Sequence, residues 1–390
     1  LSATEVAASA GVGTILISGR EIAAALTKTQ RGDHRRLNTK LTVVRDKIKD
    51  LMAKAPQATK VYTVNPKNPG VTQILDRGSV LKPIGQAVPS GIVAIKAVNA
   101  DFGLTANAPG GQRRKRLADW ITNKANPLFG RVMANRIWHY HFGTGLVNTP
   151  NDFGFSGTKP SHSELLDHLA MFFEGKKWSM KSLHRYIVTS ATYRQASRPT
   201  AKGMATDAGN RLLWRMSPRR LAAEELRDTM LAVSGKLNTQ LGGAGYRDVR
   251  EYKFKGSHFY DIIEQNKAEQ FRRTIYRFTP RGARRNLLDT FDCPDSSALA
   301  PDRATTTTPL QSLALMNNRF VLSQSDFFAN RLSEDAGEDI QAQLTLAHEL
   351  ALGRPANPEE RALAKAFIVD HGLASYCRVL FNTNAFLYVR

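Results

Sequence analysis

The sequence predicts a mainly α fold: a multi-helix globular domain preceded by a small β-like N-terminal element. Three observations carry this. Apolar residues recur at helical spacing over long stretches, N-cap residues are repeatedly followed by proline, and Val/Ile runs broken by Pro and Gly are confined to one region near the N-terminus.

Residues 20–55 read as one long, mostly polar helix, with Ile22, Leu26, Leu37, Leu41, Val44, Ile48 and Leu51 spaced for a common face and Pro56 ending it. Between Val61 and Val98, Asn65-Pro66, Asn68-Pro69-Gly70, Pro83 and Pro89-Ser90-Gly91 punctuate short Val/Ile runs, which is extended structure joined by turns. Ala108-Pro109-Gly110-Gly111 reads as a linker, dividing the chain into residues 1–110 and a helical domain over 111–390.

Pro127 suits the first turn of a helix running to about Phe142, because the N–H it lacks would have no partner there. Ser161 and Glu164 have the spacing of a capping box for a helix through Phe173. Ser179 and Ser182 offer starts for another through Ala191. Ser217-Pro218, Thr308-Pro309 and Asn357-Pro358 each place an N-cap residue before proline and predict three more helix starts. One short strand is expected among the helices near 272–278, around Ile275 and Phe278.

The 390 residues are 42% hydrophobic and 23% charged, which excludes a fibre or a disordered tail and suffices for two or three domains. Lys and Arg exceed Asp and Glu by 55 to 34, a net charge of +21 that favours anionic partners without choosing among them. Cys293 and Cys377 are too few for a disulfide framework. No apolar stretch reaches the ~18 residues of a membrane span; Val6–Ser18 is short and loosened by Gly11 and Gly13. The chain begins with Leu1 and reads as a fragment or a processed product.

Phosphate-cradle motifs fail. Gly11-Val12-Gly13 lacks a third glycine and no P-loop occurs. Ser156-Gly157-Thr158-Lys159 has S-x-x-K spacing, but Pro160 follows it and K-T-G is absent. His348-Glu349 begins like a zincin helix, yet Leu352 stands where the second histidine belongs, and no metal site is assigned. The densest polar chemistry lies between Asn135 and Gln195. His139 and His141 are two residues apart and face different ways on a helix, whereas His162 and His184 could reach one of them in space.

This gives His141, Asp152, His162, His184 and Tyr193 as candidates for proton transfer, with Arg136, Arg185, Arg194, Arg219 and Arg220 holding anionic groups. Gly143, Gly145, Gly154 and Gly157 around Asp152 would let backbone approach a ligand. The competing reading makes the histidines helix caps and core hydrogen-bonding groups and Asp152 a turn cap. Glu224 with Asp228, and Glu164 with Asp167, each lie on one helix face and read as solvated. Further basic clusters are Arg113–Arg116, Arg272-Arg273, and Arg281 with Arg284-Arg285. Phe254, Phe259, Tyr260, Phe271, Tyr276 and Phe278 accompany the last two, a combination that stacks on bases or sugar rings. No nucleic-acid module is visible.

The order of motifs is informative beyond any single residue. Arg116–Trp120 and Asn126-Pro-Leu-Phe129 are followed by Asn135-Arg-Ile-Trp-His-Tyr-His-Phe-Gly143, Asp152-Phe-Gly154 and Pro160-Ser-His-Ser-Glu-Leu-Leu-Asp167. Then come Trp178–Arg185, Thr189–Gln195, Leu213–Leu221, Phe291-Asp-Cys-Pro-Asp295, Thr306–Gln311 and Asn382–Tyr388. Over about residues 112–390 this resembles the C-terminal PSD-type domain of planctomycete cytochrome-c surface proteins. Residues 1–100, with the turn at Arg77-Gly78, resemble the tail of the companion domain that precedes it. Ala385 and Arg390 stand where that family more often has acidic residues.

The resemblance implies a periplasmic or cell-surface protein whose upstream, haem-bearing domain attaches haem c through C-x-x-C-H; this sequence has no such motif and no cofactor of its own. It further implies a setting of acidic or sulfated polysaccharide. The leading expectation is redox chemistry on or beside that polymer. The alternatives are a non-catalytic glycan-binding or assembly module of the same protein, a nucleic-acid-binding protein favoured by charge alone, and a metal-dependent hydrolase.

Overall fold

A computed structural model describes residues 24–54, 63, 65, 68–263, 267–283 and 286–389. The stretch Val6–Ser18, residues 20–23 of the helix expected over 20–55, Pro56 expected to end it, Pro66, the pair Arg284-Arg285 and Arg390 lie outside them. The fold is mainly α, with fourteen helices and three two-stranded antiparallel pairs among the described residues. None of these helices is long and apolar enough to cross a membrane.

Residues 1–69 and 70–390 form separate compact units. The first contains α1 (Lys28–Lys54), none of whose residues is buried. The second opens with β1 (Gln73–Leu75) and β2 (Pro83–Gln86), paired antiparallel across a turn in which Arg77 and Gly78 adopt φ of 49° and 80°. Val98 and Phe102 then pack on Trp120 of α2 (Gly110–Ile121). Gly91 lies so close to the Trp120 indole that a Cβ would approach it to 2.5 Å, so no larger residue fits there without movement.

The first core is built from α3 (Pro127–Phe142), α4 (Ser163–Gly175) and α5 (Met180–Val188). Asn126 caps α3 by accepting from the Leu128 N–H at 3.0 Å, with Pro127 at the first position as the sequence requires. Ile137, Trp138 and Phe142 of α3 meet Leu166, Leu169 and Phe173 of α4 and Leu183 and Ile187 of α5. Burying a side chain of this size contributes about 1.5–3 kcal/mol. Helices α3 and α4 approach closely because Gly130 faces Ala170. His162, rather than Ser161, takes the N-cap position of α4, since the Ser161 hydroxyl bonds the His162 ring instead (3.0 Å). Ser179 caps α5 as expected, and that helix stops at Val188, short of Ala191.

After α6 (Ala201–Asp207), the Ser217-Pro218 pair leads not into a helix but into β3 (Arg219–Arg220). α7 (Ala223–Val233) follows, its first turn tied by the Glu225 carboxylate accepting from the Ala222 N–H. The hairpin β4 (Val249–Phe254) and β5 (Ser257–Ile262) turns at Lys255-Gly256, both left-handed. The strand expected near 272–278 is reduced to isolated parallel bridges at Arg272 and Arg277 flanking one 3-10 turn.

The remaining helices are α8 (Asn286–Thr290), α9 (Pro309–Asn317), α10 (Arg319–Ala336), α11 (Ile340–Leu352), α12 (Pro358–His371), α13 (Leu373–Phe381) and α14 (Asn384–Leu387). With α7 they enclose the second core, where Leu226, Met230, Phe328, Leu332, Leu344 and Phe381 are fully buried. Pro309 and Pro358 start α9 and α12 as the sequence predicts; Asn357 and Glu360 cap each other reciprocally at 2.8 and 2.9 Å. The chain returns through β6 (Tyr388–Val389) to pair with β3, Arg219 opposite Val389 and Arg220 opposite Tyr388.

Candidate functional site

Helix α3 sends its two late histidines in different directions, as a two-residue spacing on a helix demands. His141 turns to α5, where its Nε2 and the His184 Nδ1 share a hydrogen bond of 2.8 Å with the rings edge-on. Tyr193 packs edge-on against both His141 and Phe142, its ring centroid 5.7 Å from His141. Leu183 and Ile187, buried beside His184 on α5, fix that helix in the first core. Burial pushes the His141 imidazole below its ordinary value, and the neighbouring His184 and Arg219 add to that. An imidazole held neutral in this way can take up a proton from a group placed beside it at neutral pH.

His139 turns instead toward the second core. Its ring is nearly buried, Nε2 lies 3.1 Å from the Asp302 carboxylate, and Nδ1 has no hydrogen-bond partner among the described residues. Around it lies a cleft of about 110 Å³, lined by the end of α3, by Arg219 and Arg220 of β3, and by the 291–305 loop with Asp302 and Arg303. Arg219 therefore stands between the histidine pair, which it influences electrostatically, and the cleft, which it lines.

The loop is fixed by charge and hydrogen bonds. Arg303 grips Glu224 of α7 with both terminal nitrogens (2.6 and 2.9 Å), and the Cys293 thiol donates to the same carboxylate at 3.6 Å. Burial pushes the Glu224 carboxyl up, but the Arg303 hydrogen bonds and charge outweigh it and hold the group below its ordinary value. Asp292 accepts from the Thr306 N–H and hydroxyl (2.8 and 2.9 Å). Arg220 donates to the Thr306 carbonyl and to Gln311 (2.9 Å).

Of the residues singled out in sequence, His141, His184 and Tyr193 come together, with Arg219 beside them. Asp152 caps its own turn by accepting from the Gly154 N–H at 2.8 Å, and His162 sits at the N-cap of α4; among the described residues neither bonds to the histidine pair. Arg136 bonds Asn151 at the surface, and Arg185 and Arg194 are exposed. Arg219 bonds Glu225, so it and Arg220 are already engaged with protein groups.

Sequence reasoning missed the His139–Asp302 contact and the Glu224–Arg303 pair, and it misread Glu224 and Asp228 as solvated. Asp228 accepts from the Thr274 N–H and hydroxyl at 2.8 and 2.6 Å. The signal lay in the order of motifs: Phe291–Asp295 and Thr306–Gln311, read for kinship and for a helix start, converge with the anion-binding candidates Arg219 and Arg220 on this one cleft.

Cys377 is fully buried, its thiol pushed well up by burial, Cys293 serves Glu224, and the chain has no C-x-x-C-H. Among the described residues no three His, Cys, Asp or Glu side chains cluster to hold a metal ion.

Two helical cores thus flank a small, arginine-lined polar cleft, with a histidine pair on the first of them. Residues 113–368 match PSD1, the family described as a protein of unknown function (DUF1553), and the chain belongs to that family. No curated protein and no solved structure matches it.

Proposed function

We propose that this chain is the helical domain of an exported planctomycete-type surface protein that bears c-type haem in another portion, and that it acts on or beside acidic or sulfated polysaccharide. The observation that carries the chemical part is the His141–His184 hydrogen bond, with His141 held neutral and under the influence of Arg219. In this reading the pair moves a proton to or from a group bound beside His141 and Tyr193. Tyr193 holds the His141 ring in place, and Arg219 supplies positive charge to an anionic substituent. The haem and surface setting rest on the order of sequence motifs alone.

The test uses the protein and its His141→Ala and His184→Ala variants against sulfated, carboxylated and neutral polysaccharides. We expect binding that prefers the charged polymers and weakens with salt, and turnover by the full-length haem protein that is lost in both variants. A His141→Ala protein with its fold and full turnover intact would remove the pair from the mechanism. A full-length native protein without a c-type haem absorption band would remove the redox setting.

One observation favours a second reading, a glycan-binding module without chemistry of its own. The β4–β5 hairpin exposes Tyr252, Phe254 and Phe259 on one face, Tyr252 and Phe259 stacked at 5.6 Å, with Lys255 over Phe254. Such a platform suits the apolar face of a sugar ring. Here loss of binding in Tyr252→Ala/Phe259→Ala, with the histidine variants binding normally, is the expected pattern.

A further inference from the structure

Helix α1 carries an apolar seam that no other described residue of its own unit covers. Leu37, Leu41, Val44, Ile48 and Leu51 follow one another at alternating spacings of four and three residues, and each is 47–59% exposed. That alternation is a 3.5-residue repeat, the signature of a helix that packs along a second helix rather than onto a broad core. Leu41 and Ile48 occupy the a positions, and Leu37, Val44 and Leu51 the d positions. A solitary helix of this length is marginal in water and gains most of its stability from packing such a face.

The flanks select the partner. Lys40, Lys47 and Lys54 occupy the g positions and Arg45 an e position. A parallel copy of the same helix would set Lys40 against Arg45, and an antiparallel copy would oppose g to g and e to e, again cation to cation. Pairing with itself is therefore disfavoured, and glutamates or aspartates at e and g of the partner would complement every one of these charges. A lipid surface fits less well. The apolar stripe is narrow, and α1 has no Trp, Tyr or Phe to anchor it at a bilayer interface.

We propose that α1 is the docking element for a partner helix with apolar a and d positions and acidic flanks. This is independent of the histidine-pair reading. The test takes the full chain and two labelled synthetic four-heptad peptides, both with Ile at a and Leu at d, one with Glu and the other with Lys at every e and g. Fluorescence anisotropy should show saturable one-to-one binding of the acidic peptide, weakened by salt, with the basic peptide not binding. Ile48→Asp should abolish it.

The combined Lys40→Glu/Arg45→Glu/Lys47→Glu variant leaves the apolar seam intact and should reverse the preference between the peptides by about tenfold or more. Failure of the acidic peptide to bind, equal binding of both peptides, or no reversal in the triple variant would overturn the proposal. So would self-association lost on Ile48→Asp, or binding to anionic vesicles that the acidic peptide does not compete away.

Discussion

The guanidinium of Arg272 donates to three carbonyls, those of Gln240, Gly242 and Ala244, while lying 4.0 Å from the Tyr276 ring. Only 7% of the residue is exposed. A planar fork of donors is what permits one side chain to close a glycine-rich loop in this way, and an ammonium cannot reproduce it. Arg272→Lys should therefore lower stability by about 2–4 kcal/mol, as buried carbonyls lose their donors, measured by urea unfolding. Faster amide exchange across 238–246 should accompany it.

His141 and His348 make the second residue-scale prediction. Burial lowers both imidazoles below the ordinary value of 6.5. The unfolded chain thus takes up protons near pH 6.5 that the folded chain resists, and stability falls as pH drops through that region. The urea midpoint should decline between about pH 7 and pH 5. His348→Gln, which keeps a partner for the Tyr376 hydroxyl bonded at 2.8 Å, should flatten part of the decline.

At the scale of elements, α3 owes its role to one buried asparagine as much as to its apolar face. Asn135 accepts from the Val147 N–H (2.8 Å) and donates to the Val147 carbonyl (2.9 Å), standing in for a strand neighbour and pinning the loop after α3. A Cβ on Gly145 would fall 2.5 Å from the Val147 carbonyl oxygen and 2.8 Å from the Asn135 amide. Gly145→Ala and Asn135→Leu should each cost roughly 2–4 kcal/mol by breaking the same contact. Their double variant should cost much less than the sum, read from denaturant curves.

The legibility of elements follows from the range of their signals. Asn126-Pro127, Thr308-Pro309 and Asn357-Pro358 act within four residues, and each marked its helix in the sequence. Ser217-Pro218 carries the same signal, but pairing with β6 nearly 170 residues later overrides it. The hairpin turn at Lys255-Gly256 was local too. In the sequence Phe254, Phe259 and Tyr260 read as ligand-stacking aromatics, whereas they belong to one strand pair. His141 and His184 could be suspected as partners, yet their 43-residue separation closes only through the packing of α3 on α5. Nothing short-range tells that Asp302 meets His139 or that Arg303 meets Glu224.

On the scale of the whole second unit, the 291–308 loop of the second core reaches the first through the contact of Asp302 with His139. The tip of that loop is open, with Leu299 94% exposed, while Asp302, Arg303 and Thr306 hold its return limb to His139, Glu224 and Asp292. Glu224→Gln should weaken the Arg303 anchor with little change in global unfolding. Limited proteolysis should then cut within residues 296–305 several-fold faster than in the parent. The net charge of +21 also overstates the cations a polyanion can meet. Arg227 and Arg277 are covered and paired with Asp228 and Asp248, and Arg272 is enclosed by carbonyls.

The pairing of β6 with β3 places the last turn of the chain inside the scaffold of the cleft. The Leu221 N–H donates to the Leu387 carbonyl at 2.9 Å, and Arg219 and Arg220 are aligned by Val389 and Tyr388. For anyone engineering the molecule, trimming a few residues after Thr383 would release the very strand that aims both arginines, so any shortened version has to carry that stretch along.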